Sequence, residues 1–423
     1  MSLNDIPRLG RRRFLQAVGA VTVTTSVAGA ATAPDGTRYD PKKEVPRVHA
    51  LRHTNHEQVE RGEASAKREP VFGIISREKW RKVEAASQAR QRVEQNLSDL
   101  SPTPDVMVRL PKGADDKSTR AIIVKHVTGV VHEKGNKRVI SEPSYTPEEL
   151  TEIVKARFPD TLTAKPDPST HPASPIDQVP RPDSVKPVEG MPIDTTQIEV
   201  GQSDHSGGDD HYKYEYRNPG VPGGCYIDSD YPPGGASIGT LGTPATTTYG
   251  DQRLVTAGHV LGDANGTGDN VYQETEGDGS DTLGQIADWA VKHTVDFDAG
   301  LIGSLEFDTT YKFAADTGAD DFKIHTIYGT RTKQWLCDNQ GLNISKQGIG
   351  RPYESEQIGD IGSTYFESNH PEKGGDSGGP YWHTVNIDEA YMCGIHRGPA
   401  TNSLYKSRAT IMESIEKEYD IQV

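Results

Sequence analysis

The stretch KGGDSGGPYW, residues 373–382, sets four glycines around one serine and places a carboxylate directly before it. Gly374, Gly375, Gly378 and Gly379 can take backbone angles closed to other residues, and they admit neighbouring backbone at close range. The spacing predicts a sharp loop that holds Ser377 rigid. Two readings follow: a polar surface turn that is rich in glycine, or a nucleophile flanked by backbone N–H donors.

Two other stretches bear on the choice. RLVTAGHV (253–260) is a short apolar strand running into Gly258 and His259, and VDFDAGLI (295–302) sets acids before an apolar pair. With Ser377 they supply a base, an acid and a nucleophile in the order His259, Asp298, Ser377. A serine hydroxyl is a poor nucleophile until an imidazole takes its proton. A buried carboxylate fixes the tautomer of that imidazole and stabilises the imidazolium. The developing oxyanion needs fixed donors, and the backbone N–H groups of Gly375 and Ser377 are the natural pair in a tight loop. Loss of one such donor costs about 3–4 kcal/mol of barrier. Asp296 competes with Asp298 for the acid's place. The loop also fits G-x-S-x-G, the nucleophile elbow of α/β-hydrolases. In that fold the acid and the histidine follow the serine, whereas only 46 residues follow Ser377 here.

Thr256-Ala-Gly-His259 and Gly375-Asp-Ser-Gly-Gly-Pro380 resemble the two signatures of the chymotrypsin-like (trypsin-fold) serine peptidases. Asp298-Ala-Gly-Leu-Ile302 is similar to that family's D-x-A-L-[IV] segment, with Gly300 in place of alanine. Only Asp298 has the apolar pair at the family's offset, which favours it over Asp296. The spacings of 39 and 79 residues resemble the compact bacterial branch, the streptogrisins and glutamyl endopeptidases. The resemblance covers about 221–423. It implies an all-β domain of two six-stranded antiparallel β-barrels, the triad between them and a C-terminal helix. A helix at the C-terminus is also read directly from Ile411, Met412, Ile415 and Tyr419, which recur at helical spacing. The implied activity is peptide-bond hydrolysis through an acyl-enzyme, on protein or peptide substrates, without a cofactor or metal. A catalytically silent relative that binds peptides or partners is the alternative.

Trypsin-type members carry an aspartate six residues before the serine, and Pro371 holds that place here. Cys393-Gly-Ile-His-Arg-Gly398 resembles the G-I-H-x-G strand of the glutamyl endopeptidases. The resemblance implies that His396 binds an acidic substrate side chain by a charge-assisted hydrogen bond, with Arg397 nearby. His370 and His383 are expected to be surface or packing residues. Asp263, Asn265, Asp269, Glu274, Glu276, Asp278 and Asp281 could hold calcium, but they match no spaced loop motif, and an acidic solvated surface is the expectation.

Charge divides the chain. Residues 1–200 carry a net +4 and residues 201–423 a net −19. So acidic a half should not seek nucleic acid or anionic membrane, and it resembles proteins adapted to high salt. Arg11-Arg-Arg-Phe-Leu15, a weakly apolar run to Ala33 and Ala28-Gly-Ala30 resemble a twin-arginine export signal with its cleavage site. The reading gives a signal over 1–33, a small α/β pro-region over 34–159, a Pro/Asp/Ser-rich linker with a processing site over 160–220, and the peptidase over 221–423. Secretion without a membrane anchor, and a monomer, are expected. The three cysteines, Cys225, Cys337 and Cys393, allow one bridge, and no pair stands out.

Overall fold

The computed structural model describes residues 31–423 apart from 33–35, 41, 61–66, 116–117, 134–135, 140–142, 168–184, 201–219, 230–236, 263–269, 275–279, 295, 307–308, 317–321, 387–388 and 401–403. The expected export signal over 1–33 therefore lies almost wholly outside the described residues.

The N-terminal half builds a small α/β unit. A long hairpin is formed by β1 (Glu44–His53) and β2 (Arg68–Ser76). Ser76 then caps α1 (Arg77–Asn96), its Oγ accepting from Lys79 N at 3.1 Å. That bond meets one of the donors a helix start leaves orphaned. Strands β3 (Asp105–Arg109) and β4 (Ala121–Glu133) pair antiparallel. Helix α2 (Pro147–Arg157) starts with a capping box between Thr146 and Glu149. Strands β5 (Thr161–Ala164) and β6 (Val188–Val200) complete a sheet in the order β3-β4-β6-β5. The apolar faces of α1 and α2 meet that sheet in one core of Ala86, Val93, Leu97, Ile122, Val124, Leu150 and Val154.

The stretch 160–220 differs from its reading as linker. Leu162, Ala164, Val188 and Met191 enter the same core. A polar average composition hid a few apolar residues spread over two strands. The part 201–219, where processing is expected, lies outside the described residues.

The C-terminal half is two rings of strands. The first comprises β7 (Tyr226–Ser229), β8 (Ser237–Thr240), β9 (Thr243–Thr247), β10 (Gln252–Thr256), β11 (Asn270–Glu274), β12 (Ser280–His293) and β13 (Asp298–Gly303). Pairing runs β8-β7-β11-β12-β13-β10-β9. Segments β8 and β9 are halves of one run, and the ring closes where Leu241 N donates to Cys225 O at 2.7 Å and Gly242 N to Val255 O at 2.8 Å. A hairpin follows, β14 (Thr309–Asp316) and β15 (Phe322–Arg331). The second ring is β16 (Asn343–Gly348), β17 (Arg351–Ile361), β18 (Tyr365–Ser368), β19 (Pro380–Thr384), β20 (Glu389–Pro399) and β21 (Ser407–Ile411). It closes in the order β16-β17-β18-β21-β20-β19. Closure removes the exposed edges that an open sheet would present. The terminal helix α3 (Met412–Tyr419) places Met412, Ile415 and Tyr419 in a core shared with Val255 and Leu301 of the first ring and Trp382 and Met392 of the second. The fold is thus the expected all-β pair of barrels with a C-terminal helix.

The two halves are joined by more than the chain. Strand β1 pairs antiparallel with β15, and β3 touches β17 at Val108 and Ile361. Ion pairs cross the joint. Lys125 Nζ lies 2.6 Å from Glu367 and 3.4 Å from Asp360, all three side chains being fully buried. Arg109 grips Asp360 through Nε and Nη2, and Arg47 reaches Asp338 at 3.3 Å. Each cation comes from the basic half and each of these acids from the acidic half. Removing one partner of a buried pair leaves an uncompensated charge, which costs about 3–5 kcal/mol. Lys125→Met is therefore expected to lower unfolding stability by about that amount in a denaturant titration. A loss under about 1 kcal/mol would show that the joint does not depend on this cation.

Candidate active site

His259 and Asp298 meet because their elements are neighbours in the first ring. Strand β10 ends at Thr256, and Gly258–Leu261 forms a single helical turn against β13, which starts at Asp298. Strands β10 and β13 pair through Thr256 and Gly300. Asp298 Oδ2 lies 2.6 Å from His259 Nδ1, and Oδ1 accepts from the His259 backbone N at 3.1 Å. Both side chains are almost wholly buried, at 2% and 1% exposure. Burial pushes the Asp298 carboxyl upward, but the charges of His259 and His293 and the hydrogen bond from His259 outweigh it and hold it well below the usual carboxylate range. The carboxylate stays ionised against an imidazole, as an orienting acid must. Asp296 instead accepts from Thr294 Oγ1 at 2.9 Å.

From the far side, Thr410 of β21 accepts from Asp298 N at 3.2 Å and donates to Asp298 O at 2.8 Å. Tyr419 Oη donates to Ala299 O at 2.7 Å. The second ring and the terminal helix thus fix the acid that belongs to the first. No motif in the sequence marks Thr410 or Tyr419 for this task.

The serine loop sits between the rings. Gly375 has φ +90° and Gly378 φ +90°, a region that side-chain-bearing residues rarely enter. A Cβ on Gly378 would collide with Thr240 O and Thr256 Oγ1, so the loop lies directly on the strand that leads to His259. Ser377 is 3% exposed, and its carbonyl accepts from Thr240 N at 2.7 Å. Thr240 Oγ1 donates to Gly375 O at 2.7 Å, and Gly378 N donates to His396 O at 2.8 Å. His259 Nε2 is buried with no hydrogen-bond partner among the described residues.

Asp376 is the pin of this loop. Its Oδ2 accepts from Lys346 Nζ at 2.9 Å and from Lys373 N at 3.0 Å, and its Oδ1 from Gly350 N at 3.0 Å. Lys346 also donates to Pro371 O at 3.1 Å. Burial would lower the Lys346 ammonium, but Asp376 holds it above its ordinary value. Lys346 was invisible in the sequence, since a single lysine on β16 has no distinguishing neighbour.

His396 is fully buried on β20, next to the loop. Its Nδ1 lies 3.2 Å from Tyr381 Oη, which donates to Ser407 Oγ at 3.2 Å. His370 continues this polar cluster, 3.0 Å from Ser368 Oγ and 3.0 Å from Ile344 O. It is a packing residue, as is His383, which lies against the Trp335 ring at 4.7 Å. The other ring nitrogen of His396 faces Glu372 Oε2 at 3.6 Å. Burial pushes the Glu372 carboxyl up to about 7 and holds His396 well below its ordinary value.

Cys225, Cys337 and Cys393 are all unbridged. Of the candidate calcium ligands, Asp263, Asn265, Asp269, Glu276 and Asp278 lie outside the described residues, as do the side chains of Glu274 and Asp281.

No family model matches the chain, and no curated protein matches it. Solved structures similar to it include a Nocardiopsis protease (18% identity, 48% of this chain and 97% of that one, TM-score 0.34). A second is a glutamic-acid-specific serine protease described as using a histidine triad in substrate binding (19%, 48% and 100%, 0.34). A third is protease A of Thermobifida fusca (16%, 48% and 97%, 0.33).

Histidines shielded from water give the fold a pH dependence. Burial lowers His370 to about 3 and His293 to about 4, from an ordinary 6.5. Between those values and 6.5 the unfolded chain binds protons that the fold does not, so stability falls as pH drops through that window. Glu372 acts oppositely: its raised carboxyl holds a proton in the fold that the unfolded chain has lost, and its contribution falls as pH rises from about 4.5 to 7. Unfolding free energy measured from pH 7 to 4 should decline steeply below 6.5. His370→Gln should flatten that slope by up to about 1.4 kcal/mol per pH unit. An unchanged slope would mean that His370 is already charged in the fold.

Proposed function

We infer that this chain is an exported serine endopeptidase that cleaves peptide bonds through Ser377, His259 and Asp298. The observation that carries the reading is the buried 2.6 Å His259–Asp298 pair beside a glycine-locked serine loop. Ser377 attacks the carbonyl, His259 Nε2 takes its proton and returns it to the leaving amine, and Asp298 holds the imidazole's tautomer. The backbone N–H groups of Gly375 and Ser377 receive the oxyanion. Export follows the twin-arginine route, and 34–200 acts as a pro-region that is cut from the peptidase within 201–219 and then lost.

His396 sets a preference for Glu or Asp before the scissile bond, and Glu372 modulates it. A substrate carboxylate must displace Glu372 from His396 or meet it in its protonated form. Acid-directed cleavage is then strongest below pH 7, where Glu372 is neutral.

The test is a mass-spectrometric cleavage map of a mixed peptide library, at low and high salt, with the wild type and Ser377→Ala. Cuts made only by the wild type are expected; their absence at every salt, from folded and processed protein, would leave the silent binding relative. In the same assay Glu372→Gln should raise the share of cuts after Glu and Asp at pH 8 by about tenfold, the effect of about 1.4 kcal/mol of removed repulsion. A map dominated by aromatic or aliphatic residues in both proteins would retain the triad and discard the acidic pocket.

A further inference from the structure

His293 has no part in the hydrolysis just described, yet the fold places it beside the catalytic pair. On the ladder between β12 and β13, His293 is the direct cross-strand partner of Asp298. Directly opposed residues project to the same face of a sheet. The His293 ring therefore stands against the His259 ring, centroids 5.3 Å apart and planes at 46°. One ligand atom each from His259, His293 and Asp298 lies within 4.8 Å of the other two. His293 is only partly buried, whereas the side chains of His259 and Asp298 are almost wholly enclosed. Gly258 holds the arrangement tight, because a Cβ there would press on the backbone of Lys292.

Two imidazoles and one carboxylate are the donor set of many three-ligand zinc sites, in which water fills the fourth position. Borderline nitrogen donors favour zinc-like ions over magnesium or calcium. The geometry assigns to His259, His293 and Asp298 a second role: a reversible site for a divalent transition-metal ion that switches the enzyme off. This rests on reading His259 as the base. Binding at Nε2 would occupy the lone pair that must accept the Ser377 proton. Binding at Nδ1 would displace its proton to Nε2, turning that atom from acceptor to donor. Either way no bond to the metal forms or breaks in the reaction itself; the base is simply withdrawn. The guanidinium of Arg397, whose charge acts on both Asp298 and His293, opposes the ion and limits its affinity.

The test has a binding arm and an activity arm, both on the full chain. Calorimetric titration of Ser377→Ala protein with ZnCl2 should show one site, absent when His293→Gln or His293→Asn is added and not reproduced by MgCl2. In the wild type, ZnCl2 should inhibit cleavage and EDTA should restore it. His293→Gln should still cleave, with zinc sensitivity reduced at least tenfold. Zinc binding that is unchanged by both His293 substitutions would overturn the proposal, as would equal inhibition of wild type and His293→Gln. If no peptide is cleaved at all, the calorimetric arm still decides the site, so failure of the peptidase reading and failure of the metal site remain distinct.

Discussion

A carboxylate taken out of water must have its oxygens met by donors, or the fold does not tolerate its charge. That constraint organises this molecule at three places. Asp298 is met by two groups of His259, which aligns a base. Asp376 is met by Lys346 and two backbone amides, which pins the serine loop. Asp360 and Glu367 are met by Arg109 and Lys125, which fastens the N-terminal unit to the second ring. In each case the acid is buried and a side chain or amide from another element completes its partners, so the sets form only when those elements have come together.

The barrel half was legible because its chemistry is written in short, spaced motifs. Glycines at 375 and 378 announce positive φ and close approach, and the apolar residues after Asp298 announce a buried strand. The terminal helix showed itself by period alone. What stayed hidden were the residues that act one step away. Thr240, Lys346 and Thr410 are ordinary residues on strands, and only the closing of the rings brings them to the loop or the acid. Glu372 carries no motif of its own; its position facing His396 depends on how the loop folds back. The strands at 161–164 and 188–200 were lost in polar composition, because four core residues cannot lift the average of a forty-residue stretch.

Two features temper the resemblance at its specificity end. A histidine facing an internal carboxyl is a different environment from a histidine facing solvent, and Tyr381, itself tied to Ser407, holds its other nitrogen. The chemistry around His396 is therefore a property of a cluster and not of one side chain. The charges of Lys346, Asp376 and Arg408 all act on Glu372, so its protonation is tied to the same lysine that pins the serine loop.

The joint between the halves has a consequence for what a cut in the connecting chain would produce. Severing the backbone within 201–219 breaks no pairing of β1 with β15 and no ion pair of Lys125, Arg109 or Arg47. The product would be a heterodimer of two fragments, with a covalent tether exchanged for a dissociation constant. Before the cut, the N-terminal piece is present at the high effective concentration of a tethered partner; afterwards its occupancy depends on dilution. Because the ion pairs at its centre are shielded from solvent, added salt would weaken them far less than it weakens exposed charges. Separation of the two fragments would then require dilution or digestion of the N-terminal one in addition to the cut.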